Sequence, residues 1–387
     1  MFPPVLKKHR RTCIMSVSGV LRLFLTEIIP EEPPWFCGSN LIWIIPAEGD
    51  MKKNFFSILS LFLIILFFAG CSSEKENKVV VYAYDSFCSE WGPGPQLEKL
   101  FEEKTGYDLE ILSVGDGAQV LAKAAFEKDD PQSDVLVGID NQLYKKALNL
   151  EILSPYKPKG SENLKPEILF SDRAEDWFLT PYDWSSFAII YNTESSVPAP
   201  ESLMDLTKEI YRKKLILMDP RTSTPGLGFL TWTKNAFGDR YLEFWENLKP
   251  SVLTMAPGWD SGYGLFTAGE APLVISYTTS PAYHIEYDEP YSFRALVFPE
   301  AAPLQVEGAG LTKNSKNPEG GKAFIDFLIS AEGQEILPLT QWMYPANKNI
   351  ELPECYKTIE APENIFTEMP DDVDSMIEEV LTVLGNE

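Results

Sequence analysis

The sequence predicts an α/β protein built from two lobes with a ligand cleft between them. Apolar strand segments alternate with amphipathic helical segments, which is typical of parallel sheets covered by helices. This alternation loosens at 151–180 and then resumes, so one lobe precedes the break and another follows it. A chain of 387 residues also exceeds what one ordinary hydrophobic core needs.

The first lobe begins with three strand and helix pairs. The strand segments are VVVYAY (79–84), LEILSV (109–114) and SDVLVGID (133–140). The helical segments are GPGPQLEKLFEEKTGY (92–107), AQVLAKAAFEK (118–128) and NQLYKKALN (141–149). Pro95 suits a first helical turn, and Gly106 suits the residue that ends the same helix.

The second lobe repeats the alternation. Its strand segments are SSFAIIYN (185–192), KLILMD (214–219) and LVISYT (273–278), with helices expected at 201–212 and after 224. RALVFPE and EGAGLTKNS are expected to be returning strands, 318–337 one or two helices, and 370–384 an amphipathic helix. We place the first lobe at 79–182 and 286–335, and the second at 183–285 and 336–387.

The N-terminal region predicts a lipoprotein export signal. Lys52 and Lys53 precede an apolar run of 14 residues, Phe55 to Phe68, which is short for a membrane span. The run ends in Ala-Gly-Cys, typical of a bacterial lipobox, so 51–70 would be removed and Cys71 lipidated. Because a signal peptide works only at a true N-terminus, 1–50 is interpreted as a start-site error, and 71–78 as a tether. An uncleaved signal anchor is the alternative.

Charge and cysteine content exclude several classes of function. Residues 71–387 carry 26 Lys and Arg against 52 Asp and Glu, a net charge of −26. So acidic a chain disfavours nucleic acid as a partner, while a cationic ligand is mildly favoured. Cys88 and Cys355 form no disulfide framework, and whether they pair stays open. With His284 as the single histidine of this region, no metal site and no cofactor are expected.

The candidate ligand-binding residues follow strands or begin helices. Asp116 and Gly117 precede a helix in the first lobe, and Ser223 and Thr224 do so in DPRTSTPGLG of the second, where free N–H groups attract anions and polar oxygens. Each is also consistent with an ordinary helix cap. The remaining candidates are aromatic or hydroxyl residues in loops, suited to a flat or cationic ligand: Tyr84, Trp259, Tyr277, Thr278, Thr279, Ser280, Tyr283 and Trp342.

These stretches, in this order, resemble the periplasmic thiamine-binding proteins of bacterial ABC transporters. The resemblance rests on YAYDSFCSEWGPGP, DGAQVL, SDVLVGIDNQL, DPRTSTPGLG, SYTTSPAYH and WMYP, which together span about 80 to 345. It implies a type II periplasmic-binding-protein fold that holds thiamine or its phosphates between the lobes. The matching motifs carry the family's contacts onto Asp116, Gly117, Ser223, Thr224, Trp259 and the run 277–280, with Tyr84, Tyr283 and Trp342 as aromatic walls.

The resemblance further implies an extracytoplasmic protein without catalysis of its own. Its partners would be a membrane permease and the ATPase subunit that drives it, and Cys71 would supply the contact with the membrane. PYDWSS matches the family only loosely, and the hinge contacts implied there would fall on Asp183 and Trp184.

Two alternatives remain open from the residues. The same fold could bind another ligand, such as ferric iron held by Tyr277 and Tyr283, or a different organic cation. A thiol enzyme using Cys88 and His284 is the second alternative, although nothing in the sequence places these two residues together.

Overall fold

The computed structural model describes residues 77–387, apart from 288–291, 361, 363, 368–369, 371 and 386–387. The predicted start-site error at 1–50, the signal peptide at 51–70 and the lipidated Cys71 lie outside these residues. The chain divides into two compact units, and every described element belongs to the second, Ser73–Glu387. Among the described helices, none has the length and apolar character needed to cross a bilayer.

The first part of the sheet has the predicted alternation of strands and helices. Its strands are β1 (Lys78–Ala83), β2 (Asp108–Ser113), β3 (Val135–Asp140) and β4 (Leu153–Ser154). The helices between them are α1 (Asp85–Cys88), α2 (Gly94–Thr105), α3 (Gly117–Phe126) and α4 (Tyr144–Leu150). β1 pairs in parallel with β2 on one side and β3 on the other. Gly106 ends α2 with a φ of 76°, as predicted, because glycine adopts this left-handed conformation without steric cost.

The rest of the chain extends the same sheet. Its strands are β5 (Thr180–Asn192), β6 (Leu215–Met218), β7 (Val252–Ala256), β8 (Leu273–Tyr277), β9 (Phe293–Leu296), β10 (Ala302–Thr312), β11 (Tyr344–Pro345) and β12 (Ile365–Phe366). Its helices are α5 (Thr224–Phe237), α6 (Tyr241–Leu248), α7 (Trp259–Thr267), α8 (Pro281–Glu286), α9 (Pro318–Leu328), α10 (Ala331–Gln334) and α11 (Val373–Gly385).

Two long strands join the parts of this sheet. The strand order is β2-β1-β3-β10-β5-β8-β6-β7, and β5 and β10 run antiparallel at its centre. The amino half of β5 pairs with β10, whereas its carboxyl half pairs with β8 and β9. We call β1–β4, β10 and their helices the first half of the molecule, and β6–β9 and their helices the second half.

One predicted helix is wrong. The segment 201–212 forms two short 3₁₀ turns, Met204–Thr207 and Glu209–Tyr211, because Lys208 between them is extended at ψ 145°. Separate turns let Leu206 and Tyr211 both reach the core, and the Tyr211 hydroxyl donates to the Pro198 carbonyl at 3.1 Å.

The predicted lobe boundaries stay a prediction. Within the segment 286–335 assigned to the first lobe, β9 lies beside the carboxyl half of β5, while α9 packs against β1. The terminal amphipathic helix is present as α11, which packs on α5 and α6.

Candidate functional site

The N-termini of two helices meet between the halves of the molecule. Asp116 caps α3, where its carboxylate accepts the Gly117 N–H at 2.6 Å. The hydroxyl of Thr224, the first residue of α5, donates to the same carboxylate at 3.0 Å. Gly117 has no room for a side chain, since a Cβ there would lie 2.3 Å from the Gly138 carbonyl oxygen. Thr224 therefore joins Asp116 and Gly117 in one contact, although 108 positions separate it from Asp116.

Ser223 lies beside this contact as the N-cap residue of α5. Its side chain is 2% exposed, and its hydroxyl has no hydrogen-bond partner among the described residues. Ser223 and Thr224 line a small cavity of about 50 Å³ that Asp140 and Arg221 also border. A buried polar group at the positive end of a 14-residue helix can bind an oxygen-bearing ligand.

Trp259 is held in place by a chain of hydroxyl groups. Its indole Nε1 donates to Ser276 Oγ at 2.8 Å, and Ser276 bonds Ser280 Oγ at 2.8 Å. Ser280 in turn accepts the backbone N–H of Tyr277 at 3.2 Å. The Trp259 ring stacks on Tyr263 with centroids 4.9 Å apart. Three candidate residues, Trp259, Ser280 and Tyr277, are thus tied together at the ends of β8 and α7.

The hydroxyl groups of Thr278 and Thr279 form hydrogen bonds inside the protein. Each hydroxyl lies 3.1 Å from Ser185 Oγ on β5, and the two residues are 3% and 0% exposed. These bonds link the two residues that follow β8 to β5, and the neighbouring Tyr277 ring stacks on Phe187 at 5.2 Å. The pair therefore supports the position of Tyr277.

Tyr283 and Trp342 form a second aromatic group. Their rings make a T-shaped contact with centroids 5.3 Å apart. They pack in a separate hydrophobic cluster with Cys355 and Tyr356. Trp342 has a φ of 60°, a left-handed backbone conformation that is unusual for so large a residue and is sustained by its surroundings.

Tyr84 belongs to a buried network that the sequence did not reveal. Its hydroxyl donates to Glu307 Oε2 at 2.6 Å, and the Tyr182 hydroxyl donates to the same oxygen at 2.6 Å. Gln305 donates to the other oxygen of Glu307 at 2.8 Å, and Gln341 donates to the Tyr84 hydroxyl. The available signal was a lone acid inside APLQVEGAGLT, because a buried acid requires partners and all eleven residues of this strand are buried.

Carboxylates surround the aromatic side chains of the site. Burial raises the pKa of the Tyr277 hydroxyl, and the negative charges of Glu307, Asp116 and Asp140 raise it further. Burial also raises the pKa of Asp116 and brings that of Asp140 to about 6. Burial, together with the charges of Asp85 and Asp116, raises the pKa of Asp260 to about 6. The site is aromatic and negatively charged, which favours a flat cation.

Cysteine and metal chemistry find little support in the described part of the chain. Cys88 and Cys355 are free thiols, and burial raises their pKa values to about 12 and about 11. His284 Nε2 lies 3.0 Å from the Tyr263 hydroxyl. Across 77–387, apart from the gaps given above, no three His, Cys, Asp or Glu residues lie close enough together to hold a metal ion.

Known proteins that resemble this chain are extracellular or periplasmic binding proteins. The family described as bacterial extracellular solute-binding protein matches residues 130–360. The thiamine-binding periplasmic protein of Brucella melitensis biotype 1 is 35% identical over 319 residues, 82% of this chain and 94% of that protein. The protein of the same description from Escherichia coli K12 is 35% identical over 295 residues, 76% of this chain and 88% of that one.

Solved structures resemble the chain over a similar length. A periplasmic thiamin binding protein is 33% identical with a TM-score of 0.75, and the match covers 81% of this chain and 98% of that one. A ferric binding protein from Campylobacter jejuni, 19% identical with a TM-score of 0.63, covers 79% of this chain and 97% of its own, and shares the fold alone.

Proposed function

The chain belongs to the bacterial extracellular solute-binding proteins, and from this premise we propose that it captures thiamine for an ABC importer. The type II periplasmic-binding-protein fold expected from the sequence is confirmed. Thiamine as ligand is supported by relatives described as thiamine-binding that are matched over nearly their whole length.

One observation in the structure carries the choice of ligand. Tyr277 lies in the field of Glu307, Asp116 and Asp140, next to the tethered ring of Trp259. Thiamine combines a flat aminopyrimidine with a permanently charged thiazolium, which cannot lose its charge by deprotonation. Moving such a cation out of water requires aromatic faces and carboxylates to replace its hydration.

The helix N-termini account for the polar end of the ligand. The Ser223 hydroxyl is buried without a partner, and Thr224 already bridges to Asp116 across the halves. In our proposal these groups receive the hydroxyethyl or phosphate end, while Trp259 and Tyr277 contact the rings. Asp116, which accepts from the Thr224 hydroxyl, lies at this same end of the ligand.

Binding between the halves also supplies the transport mechanism. In this proposal the two halves act as lobes, and a ligand that contacts both favours the closed arrangement over the open one. The closed form delivers thiamine to a permease whose ATPase subunit provides the energy. The protein performs no catalysis, and lipidation at Cys71 anchors it on the extracytoplasmic side, in the periplasm or at the cell surface.

The proposal is tested by titrating the protein with thiamine, thiamine monophosphate and thiamine diphosphate while following tryptophan fluorescence. We expect saturable quenching by thiamine, because Trp259 lies at the site. Ferric salts serve as the comparison, since tyrosine-bound iron would colour the protein through a tyrosinate charge-transfer band. Saturation by iron and none by thiamine would contradict the proposal.

A further inference from the structure

Two carboxyl groups meet at the centre of the sheet, where β5 and β10 cross from one half of the molecule to the other. Asp183 on β5 and Glu307 on β10 are direct partners in the antiparallel register. Asp183 is 0% exposed and Glu307 is 6% exposed. Two buried acids side by side cannot both ionise without a large electrostatic cost.

The surroundings of the two acids differ. Glu307 accepts three hydrogen bonds, one each from the Tyr84 and Tyr182 hydroxyls and one from the Gln305 amide, which stabilise its ionised form. Neither oxygen of Asp183 receives a hydrogen bond from any described group. Burial raises the pKa of Asp183 well above its usual value, and the neighbouring Glu307 carboxyl raises it further. Asp183 therefore satisfies its surroundings best as a neutral acid that donates to Glu307.

The titratable groups that act on this pair are all acids in the described part of the chain. Burial is the largest cause of the raised pKa of Glu307, and the charges of Asp140 and Asp116 raise it further. The remaining groups are four tyrosine hydroxyls. Burial raises the pKa of each, and the charge of Asp183, Glu307 or both raises it further: Tyr84, Tyr182, Tyr277 and Tyr356. In the described part of the chain, the pair thus has negative neighbours, and no cationic group contributes to its titration.

We propose that the Asp183–Glu307 pair gives up a proton when the cationic ligand binds, so that capture of thiamine is coupled to proton release. The inference rests on the proposed function. The thiazolium supplies the positive charge that the pair lacks, next to Tyr84 and Tyr277. The Tyr84 hydroxyl donates to Glu307, and the charge of Glu307 acts on the Tyr277 hydroxyl. The proton that leaves for solvent is the one on Glu307, while Asp183 keeps its proton, so the pair gains one negative charge opposite the ligand and never carries two.

The sign of the effect follows from linkage. Without ligand, burial and its acidic neighbours raise the pKa of Glu307 to about 7. A bound cation favours the ionised form and lowers that pKa, so the complex holds fewer protons than the free protein. Affinity therefore rises with pH through the region near 7 and levels off above it. A unit charge about 7 Å away, at an effective dielectric of about 20, lowers an acid's pKa by more than one unit, which corresponds to more than tenfold in affinity.

The test is calorimetric titration of the protein with thiamine at pH 7 in buffers of different ionisation enthalpy, because the observed heat then reports the protons released. We expect release of about half a proton at pH 7, and affinity that rises about tenfold from pH 6 to pH 8. The matched ligand is an analogue whose thiazolium is replaced by a neutral thiophene ring. It keeps the same aminopyrimidine, so any proton exchange by the ligand is common to both titrations.

Substitutions test whether the released proton comes from the Asp183–Glu307 pair. Glu307→Gln keeps the shape of the side chain and should abolish the release. Glu98→Gln removes a different acid, on α2 and outside the candidate site, whose pKa burial also raises, and it should leave the release unchanged. If Glu307→Gln does not fold, the carboxylic-acid infrared band of the unmodified protein should still lose intensity when thiamine binds and keep it when the neutral analogue binds.

The outcomes separate this inference from the proposed function. Thiamine that binds without releasing protons, equal release with the neutral analogue, or release that persists in a folded Glu307→Gln protein would each overturn the proton coupling and leave thiamine capture standing. Failure of thiamine to bind at every pH would overturn both.

Discussion

Truncation of Trp259 to alanine should weaken thiamine binding more than any other single aromatic change in the second half of the molecule. The ring is partly exposed at the start of α7, stacked on Tyr263 at 4.9 Å. Its indole N–H is fixed by Ser276 at 2.8 Å. A ring that is already held by both contacts loses little freedom when a ligand stacks on it, so most of the stacking energy appears as affinity.

The expected loss is about 1–3 kcal/mol, the range for removal of an aromatic anchor that faces a cation or a flat ring. That loss corresponds to about 5-fold to 150-fold in the dissociation constant. Ser276→Ala keeps the ring but frees its orientation. We expect a smaller loss, about 0.5–1.5 kcal/mol, the usual contribution of one hydrogen bond.

Calorimetry with thiamine measures both variants. Phe126→Ala serves as the control, since this side chain is 91% exposed at the C-terminal end of α3, the end opposite to Asp116 and Gly117. Circular dichroism establishes that each variant is folded. An affinity of Trp259→Ala equal to that of the unmodified protein would remove Trp259 from the site and refute the stacking argument.

Three further outcomes are expected. Thr224→Val removes the hydroxyl that donates to Asp116 at 3.0 Å. It should lower the free energy of unfolding in urea and the free energy of thiamine binding by about 0.5–1.5 kcal/mol each. If neither changes, this hydrogen bond contributes to neither stability nor binding. Asp140→Asn should flatten the pH dependence of stability between about pH 4 and 6. Burial raises the pKa of Asp140 to about 6, so the folded state binds more protons there than the unfolded one and stability falls as pH rises; an identical slope in the variant would contradict this. Burial raises the pKa of Cys88 to about 12 and that of Cys355 to about 11. Both thiols should therefore resist iodoacetamide at pH 8 while the protein is folded, and the treated folded protein should still bind thiamine. Rapid loss of binding would favour a thiol-dependent function.

The sequence predicts the strands and helices well where periodicity is strong. β1, β2, β3 and α2 lie within one or two residues of their expected positions, because each carries an unbroken apolar pattern with a clear stop such as Gly106. The helix predicted at 201–212 is wrong because the backbone of Lys208 is extended. The spacing of apolar residues along the sequence does not reveal such a break.

Candidate residues at helix starts were easier to predict than residues inside strands. Asp116 and Thr224 precede or begin helices, and such positions have recognisable sequence signals. Glu307 has none beyond being an acid in an apolar strand, and Asp183 is reached only through the loose resemblance of PYDWSS, which implies a hinge contact and not a paired acid. Their pairing depends on the antiparallel register of β5 and β10, which is set by the packing of the whole sheet.

The most direct measurement is the binding isotherm of the purified protein with thiamine by calorimetry, beside a neutral analogue and ferric salts. We expect one thiamine per protein, weaker binding of the neutral analogue, and no saturable binding of iron. Equal affinity for the neutral analogue would contradict the role of the carboxylates and aromatic rings in holding a cation, and the absence of thiamine binding would contradict the proposed function itself.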